Sequence, residues 1–378
     1  MPNKPIKLLM INDILEGGGA EKSMVTIIHS LYEHHQIDIH LALLENGIGF
    51  DLPRSVKVYF LSKSKKPSNL TKFYNLFSQA LMLRKLHKKE KFDLVLSFQF
   101  RSNFTNVISK LLGVSCPIII SERAYAKKFY NRPGIAPIVN QRLIKWFYPK
   151  AECVLVNSQD IMQGLIEYYK VPAKKIVVIN NGYNKNQIRQ LAEKSNSELD
   201  KLIKLKGILL VNVGRVEWEK GQEYLIHAMA HLKQKGNYQL VLVGKCNVDY
   251  KNKLVKLIHF YGLQEQIHFT GFLPNPYPYI AKADVFVFTS LFEGYPNALA
   301  EAVVLKKPVV SFDIKAGVSD IIISPQIGEK VGFGDSKGLA LAIESGVNNR
   351  NVIDYHILDE KQVGEKYFEL IHQIIHQN

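Results

Sequence analysis

Two carboxylates eight residues apart, Glu293 and Glu301, bracket the segment Phe292-Glu293-Gly294-Tyr295-Pro296-Asn297-Ala298-Leu299-Ala300-Glu301. The segment predicts a helix start, with Pro296 at the first helical position, where its missing N–H costs nothing. The backbone N–H groups of Asn297, Ala298 and Leu299 then lack intrahelical partners and carry the positive end of the helix dipole, which suits a phosphate. Glu293 falls in the loop ahead of the helix, and Glu301 lies roughly 7–8 Å further along it. A ligand with a phosphate centre and a hydroxyl-bearing ring on each side matches this layout: a nucleotide diphosphate sugar. Taken alone, the spacing equally describes two surface carboxylates on an amphipathic helix. Its context argues otherwise. The apolar run Ala283–Ser290 ends just before the loop and Pro308–Phe312 follows the helix. Strand–loop–helix–strand units of this kind bind ligands at the carboxyl ends of their strands.

A second loop of the same type is Val211-Asn212-Val213-Gly214-Arg215-Val216-Glu217-Trp218-Glu219-Lys220-Gly221. Gly214 permits a tight turn, and Arg215 and Lys220 place two cations near a strand end, where they can neutralise a diphosphate leaving group. A third, Asn12 through Gly17-Gly18-Gly19-Ala20-Glu21-Lys22, follows the first strand candidate. Gly18 and Gly19 let backbone approach a ligand closely at a helix start. The glycines are not spaced G-x-G-x-x-G, which disfavours a nicotinamide dinucleotide site.

These loops require strands and helices in alternation, and the chain supplies them twice. Strand candidates in the first half are Ile6–Ile11, Ile37–Leu44, Leu94–Phe98, Ile118–Ser121 and Cys153–Asn157, with helical patterns at Glu21–His34, Leu70–Lys89, Asn106–Leu112 and Ala136–Phe147. The second half restarts with strands at Ile208–Val213, Gln239–Val243, Gln266–Thr270, Val285–Thr289 and Val309–Phe312. Helical patterns there are Gly221–Lys235, Lys251–Tyr261, Asn297–Leu305 and Gly338–Gly346, and Glu360–His376 closes the chain with helical spacing. Two such series predict an α/β protein with two doubly wound parallel sheets. The polar run from Tyr183 to Lys201 reads as the junction.

The 378 residues suffice for two full cores, and 47% hydrophobic with 22% charged residues is the composition of a globular protein. No apolar run reaches the length of a membrane span, and the N-terminus shows no signal-peptide pattern. Cys116, Cys153 and Cys246 are scattered in apolar surroundings, as buried thiols of a reducing cytoplasm and not as a disulfide framework or zinc site. The net charge of +15 is concentrated in the first half. No acid lies between Asp51 and Glu90, where Arg54, Lys57, Lys63, Lys65, Lys66, Lys72, Arg84, Lys85, Lys88 and Lys89 fall with Phe73, Tyr74 and Phe77. The same holds between Glu122 and Glu152, with Arg123, Lys127, Lys128, Arg132, Arg142, Lys145 and Lys150 among Tyr125, Phe129, Tyr130, Trp146, Phe147 and Tyr148. Basic residues mixed with large apolar ones suit anionic lipid headgroups. No nucleic-acid-binding motif accompanies them, so a membrane surface is the expected partner and nucleic acid is not.

With these segments in this order, the chain resembles the retaining glycosyltransferases of family four nearly end to end. Gly17-Gly18-Gly19-Ala20-Glu21 is similar to that family's N-terminal glycine-rich loop, and Asn181-Gly182 to its N-G signature, with Asn180 where proline is usual. Gly214-Arg215 through Lys220-Gly221 resembles its diphosphate motif, and Glu293 to Glu301 its E-x7-E. The resemblance implies the GT-B fold: two Rossmann-like domains facing a cleft, residues 1–185 binding acceptor and 186–359 binding donor, with the helix in 360–378 returning to the first. It implies that Arg215 and Lys220 hold the diphosphate, Glu293 contacts the donor sugar and Glu301 the ribose, and that backbone at Gly271-Phe272-Leu273 meets the base. Gly294 belongs to the same motif. Arg123, in Ser121-Glu122-Arg123, stands where many members place a polar residue near the sugar or acceptor. Two departures are Cys246, where glycine is common, and Asp320, where a glutamate is usual.

The expectation is therefore a retaining, metal-independent transferase without a cofactor. It moves a hexose or N-acetylhexosamine, UDP-linked by the commonest family usage, to a lipid-linked or surface-polysaccharide glycan. Its expected place is the cytoplasm, peripheral on the inner face of the membrane. The competing classes are a binding protein for nucleotide sugars or nucleic acid on the same fold, and a transferase for a soluble acceptor. The filled positions Arg215, Lys220 and Glu293 favour the active enzyme.

Overall fold

The computed structural model describes residues 5–35, 37–62, 69–125, 135–194, 207–315, 317–348, 352, 354 and 356–377; of residues 69–74 and 135–137 it describes the backbone only. The chain divides into two compact units, Met1–Gly182 with Leu358–Asn378, and Tyr183–Ile357.

The first unit is built on a seven-stranded parallel sheet of order β3-β2-β1-β4-β5-β6-β7. Its strands are β1 (Ile6–Asn12), β2 (Ile37–Leu43), β3 (Lys57–Phe60), β4 (Leu94–Phe98), β5 (Ile118–Glu122), β6 (Cys153–Val156) and β7 (Ile176–Val178). β1 lies centrally, pairing β2 from Ile6–Ile37 to Asn12–Leu43 and β4 from Leu8–Leu94 to Ile11–Ser97. Alternate residues of the central strands feed opposite cores, as the two-residue period of a strand requires. Leu8 and Met10 join the cluster beneath the helix Gly19–His34, while Leu9 and Ile11 join the one that includes Phe104, Phe147 and Leu165. Both faces are covered, which is why these strands read as unbroken apolar runs.

The C-terminal helix Glu360–His376 belongs to this first unit. Asp359 caps it, accepting from the N–H of Gln362 at 2.7 Å while the Gln362 side chain accepts from the Asp359 N–H. Its stripe Val363, Tyr367, Leu370, Ile371 and Ile374 is buried with Met24, Ile27 and Leu31 of the first helix. Gly364 marks the closest approach, since a Cβ there would stand 2.0 Å from the Ser30 hydroxyl.

The second unit carries a six-stranded parallel sheet of order β10-β9-β8-β11-β12-β13. Its strands are β8 (Ile208–Val213), β9 (Tyr238–Val243), β10 (Ile267–Gly271), β11 (Val285–Phe288), β12 (Val309–Phe312) and β13 (Gly328–Val331). One apolar cluster holds this sheet to the helices Gln222–Leu232, Val248–Tyr261, Asn297–Val304 and Ser336–Gly346. The polar junction starts with a helix, Lys185–Ala192, whose cap Asn184 accepts from Gln187 N–H at 2.8 Å. In each sheet the strand order reverses about a central pair, β1/β4 in the first and β8/β11 in the second. Crossovers leave such a pair in opposite directions and open a crevice at the strands' carboxyl ends.

Candidate active site

The carboxyl ends of β8 and β11 bring together the loops that carry Arg215, Lys220 and Glu293. Lys220 and Glu293 form an ion pair with each side chain mostly shielded from solvent. Glu293 Oε1 also accepts from the Ser290 hydroxyl at 2.9 Å. Three contacts to backbone carbonyls tie the loops. The Thr289 hydroxyl donates to Lys220 O at 3.0 Å, Leu291 N–H donates to Glu219 O at 2.9 Å, and Gly221, at φ +63°, lies so close that a Cβ would stand 2.2 Å from Thr289 O. Glycine at that position supplies both the left-handed turn and the clearance.

Arg215 is 68% exposed and pairs with Glu217 at 2.7 Å, so its guanidinium sits at the surface of the loop. Its carbonyl accepts from the buried Gln222 side chain at 2.9 Å, which fixes the backbone beneath the exposed head. Gly214 is backed by Gly244, whose Cβ would approach Gly214 O to 2.0 Å, and Gly244 N–H donates to Gly271 O at 2.9 Å. The ends of β8, β9 and β10 therefore meet as backbone. Phe272, just beyond, is 71% exposed.

Two features of the E-x7-E segment differ from the sequence expectation. Pro296 is the residue that caps the helix Asn297–Val304 and not its first helical residue. Its carbonyl accepts from both Leu299 and Ala300 at 3.1 Å, so the Leu299 N–H is engaged within the helix. The Leu299 side chain is fully buried, whereas Asn297, Ala298 and Gly294 are half-exposed. Asn297 Oδ1 accepts from the Tyr183 hydroxyl at 2.7 Å. Glu301 is buried and accepts from Tyr277 OH at 3.2 Å.

In the first unit, Gly18 and Gly19 are exposed at the start of the helix Gly19–His34, with Gly18 as its cap. Arg123 is not part of the basic surface. It is 9% exposed, donates to Asn181 Oδ1 at 2.9 Å and Ser23 Oγ at 2.8 Å, and lies 5.0 Å over the Phe98 ring. Beside it Glu122 is buried and accepts from the Tyr148 hydroxyl and from the N–H groups of Arg123 and Ala124. Burial pushes its carboxyl above the usual range, against the lowering by those donors. Asp13 is likewise raised by burial against Arg101 and Ser102.

The basic–aromatic stretches divide. Tyr125, Phe147 and Tyr148 are core residues, because they close the cluster under the sheet. Phe77, Met82, Ile138 and Trp146 are exposed, with Lys85, Lys88, Lys89, Lys145 and Lys150 exposed on the same two helices or just beyond them. Lys150 Nζ stands 5.0 Å over the Trp146 ring. Lys63, Lys65, Lys66, Lys127, Lys128, Phe129, Tyr130 and Arg132 lie outside the described residues, as do the side chains of Lys72, Phe73 and Tyr74. Cys116 and Cys153 are buried, but Cys246 is only half so. Among the described residues no group of three or more His, Cys, Asp or Glu is arranged to hold a metal ion, and no helix is long and apolar enough to cross a membrane.

Thr289, Ser290 and Tyr277 were not singled out by the sequence. The signal for the first two was present, since they are polar residues ending an otherwise apolar strand and so stand where the carboxyl end meets a ligand. Tyr277 carried none.

The family model for glycosyl transferases group 1 matches residues 174–362, and that for the glycosyltransferase family 4 N-terminal region matches 17–187. The chain belongs to this glycosyltransferase family. The transferase is 30% identical over 315 residues, 83% of its length and 82% of the relative's, to the N-acetylgalactosamine-N,N'-diacetylbacillosaminyl-diphospho-undecaprenol 4-alpha-N-acetylgalactosaminyltransferase of Campylobacter jejuni. A second Campylobacter jejuni protein, a GalNAc-alpha-(1->4)-GalNAc-alpha-(1->3)-diNAcBac-PP-undecaprenol alpha-1,4-N-acetyl-D-galactosaminyltransferase, is 26% identical over 97% of this chain and 96% of its own. Among solved structures, Anabaena Alr3699/HepE in complex with UDP superposes with a TM-score of 0.78 at 20% identity, covering 97% of this transferase and 100% of that chain. That likeness establishes the GT-B fold of the transferase.

Proposed function

We propose that this glycosyltransferase moves a hexose or N-acetylhexosamine from a UDP-linked donor to a lipid-linked or surface-polysaccharide glycan, with retention at the anomeric carbon and without a metal ion. The observation that carries the reading is the Lys220–Glu293 pair, held across the ends of β8 and β11 beside the exposed, Glu217-paired Arg215. Lys220 and Arg215 neutralise the departing diphosphate, and the diphosphate replaces Lys220's present partner when it binds. Glu293 then accepts from donor-sugar hydroxyls, Glu301 from the ribose, and backbone at Gly271-Phe272-Leu273 meets the base. The leaving diphosphate takes the acceptor's proton on the face it departs from, so no protein nucleophile is required. The second unit binds donor and the first binds acceptor. The undecaprenyl-diphosphate glycans for which the Campylobacter relatives are named support the lipid-linked acceptor, and the UDP complex of the Anabaena protein supports the nucleotide.

Release of nucleoside diphosphate from a panel of UDP-, GDP- and ADP-sugars tests the reading, with calorimetric binding on the same samples. Turnover or binding of one donor, lost in Lys220→Ala and Glu293→Ala, supports it. Failure to bind any nucleotide sugar refutes it.

A lipid-linked acceptor brings the enzyme to a membrane, and the exposed Phe77, Met82, Ile138 and Trp146 among exposed lysines suit the anionic cytoplasmic leaflet. Salt-sensitive cosedimentation with phosphatidylglycerol vesicles and not with phosphatidylcholine is the expected result. Equal partition to both removes the electrostatic part of the argument.

A further inference from the structure

Four residues other than glycine hold a positive φ among the described residues: Lys91, Gln99, Lys170 and Lys306. Lys170, with ψ 31°, sits in the ordinary left-handed region at a helix end. Gln99 is different. It combines φ 70° with ψ 160°, a region open in practice to glycine alone. Its backbone is well used, since its N–H donates to Ser121 O at 3.3 Å and its carbonyl accepts from Asn103 N–H at 2.9 Å. A glycine would provide both bonds without strain, so the reason for glutamine has to lie in its side chain.

That side chain stands at the carboxyl end of β4, beside β1, where the order of the first sheet reverses. Gln99 Nε2 donates to Glu21 Oε1 at 2.9 Å. Gln99 Oε1 and the second Nε2 hydrogen have no protein partner among the described residues. Glu21, in the first turn of the helix Gly19–His34, folds back over Gly18 so closely that a Cβ on Gly18 would stand 1.8 Å from Oε2. Gly18, Glu21 and Gln99 are therefore fitted to one another across the switch point. At the same end of β1, one residue beyond the Ile11–Ser97 pair, Asn12 is fully buried and its Nδ2 has no partner among the described residues.

We propose that Gln99 and Glu21 form the acceptor-reading pair of the first unit, binding vicinal hydroxyls of the acceptor's terminal sugar. A carboxylate accepts from two hydroxyls and a carboxamide both donates and accepts, which matches a neutral diol. The Glu21 charge disfavours a phosphate at the same place, so the pair recognises sugar and not diphosphate. The inference rests on the transferase reading and deepens it by naming the residues that select the acceptor.

Saturation-transfer NMR with methyl α-glycosides of glucose, galactose, N-acetylglucosamine and N-acetylgalactosamine tests it, alongside UDP calorimetry on the same samples. At least one glycoside binds the wild-type protein, and Gln99→Leu and Glu21→Gln each weaken that binding fivefold or more while UDP affinity is kept. Gln99→Gly, which relieves the backbone, loses the sugar yet raises Tm by about 3 °C. Absence of any glycoside binding, unchanged binding in the variants, or a lowered Tm for Gln99→Gly overturns the proposal. UDP binding that persists beside such a result leaves the transferase reading standing, whereas loss of UDP binding in the wild type fails that reading instead.

Discussion

Gly221→Ala is the smallest change that strikes the candidate active site. An alanine pays about 1–2 kcal/mol for the left-handed conformation at φ +63°. Its methyl would meet Thr289 O at 2.2 Å and the Leu291 side chain at 3.0 Å. The nearer contact must open by about 1 Å to reach an ordinary separation. The partner there is backbone, so the two loops have to part. Parting them strains the Thr289–Lys220 and Leu291–Glu219 hydrogen bonds, each worth about 0.5–1.5 kcal/mol. The total is about 3 kcal/mol, which lowers Tm by roughly 6–10 °C. Lys220, the preceding residue, moves with the turn. Loss of its charge-assisted contact to a diphosphate, about 1.5–3 kcal/mol, weakens UDP binding ten- to a hundredfold. Differential scanning fluorimetry and UDP calorimetry read the two effects. A variant with wild-type Tm and wild-type UDP affinity refutes the claim that this contact sets the site.

Lys220→Ala and Glu293→Ala are each expected to lower donor turnover by about 10²–10³, the usual loss when one preorganised charge is removed; steady-state release of nucleoside diphosphate measures it. Glu122, whose folded carboxyl is raised by burial, contributes stability that is full below the ordinary carboxylate range and is lost as pH rises through its folded value. Glu122→Gln therefore gains in Tm relative to wild type between pH 4.5 and 7.5, and a constant difference across that range contradicts the assignment. Burial holds the Cys116 and Cys153 thiols up at about 12, so at pH 8 iodoacetamide modifies the half-exposed Cys246 first in the native protein. Mass spectrometry of the labelled peptides checks the order, and UDP slows the reaction, because Cys246 follows the Gly244 turn that backs Gly214.

The central strands were legible because both of their faces are buried. Leu94–Phe98 has no exposed position, so the run is apolar throughout and could be placed from sequence. The three strands that the sequence did not reveal are all sheet edges. β3 has no buried residue, β7 is three residues long, and β13 is Gly-Glu-Lys-Val with only its last residue buried. An edge strand is short or covered on fewer sides, and a three- or four-residue run of that kind lacks the length and the burial pattern by which a strand is recognised. Helix limits shifted for a related reason. The helix Phe100–Leu111 starts six residues before its apolar pattern, on a cap made by the strained Gln99 and not by a Ser, Thr or Asp.

The same logic separates what the site disclosed from what it withheld. Arg215, Lys220 and Glu293 stand in loops that leave adjacent central strands, and Glu301 in the helix that follows the second loop, so spacing along the chain maps directly onto neighbours in space. Gln99 and Glu21 meet only because β1 and β4 are adjacent, across 78 residues of chain. No local pattern encodes that meeting. The sequence around Gln99, Ser97-Phe98-Gln99-Phe100, looks like the end of any buried strand. What distinguishes it is a backbone angle that glutamine adopts at a cost, and a cost of that kind persists where a side chain is needed. The proposed donor residues are therefore written in motifs, while the proposed acceptor pair is written in tertiary geometry.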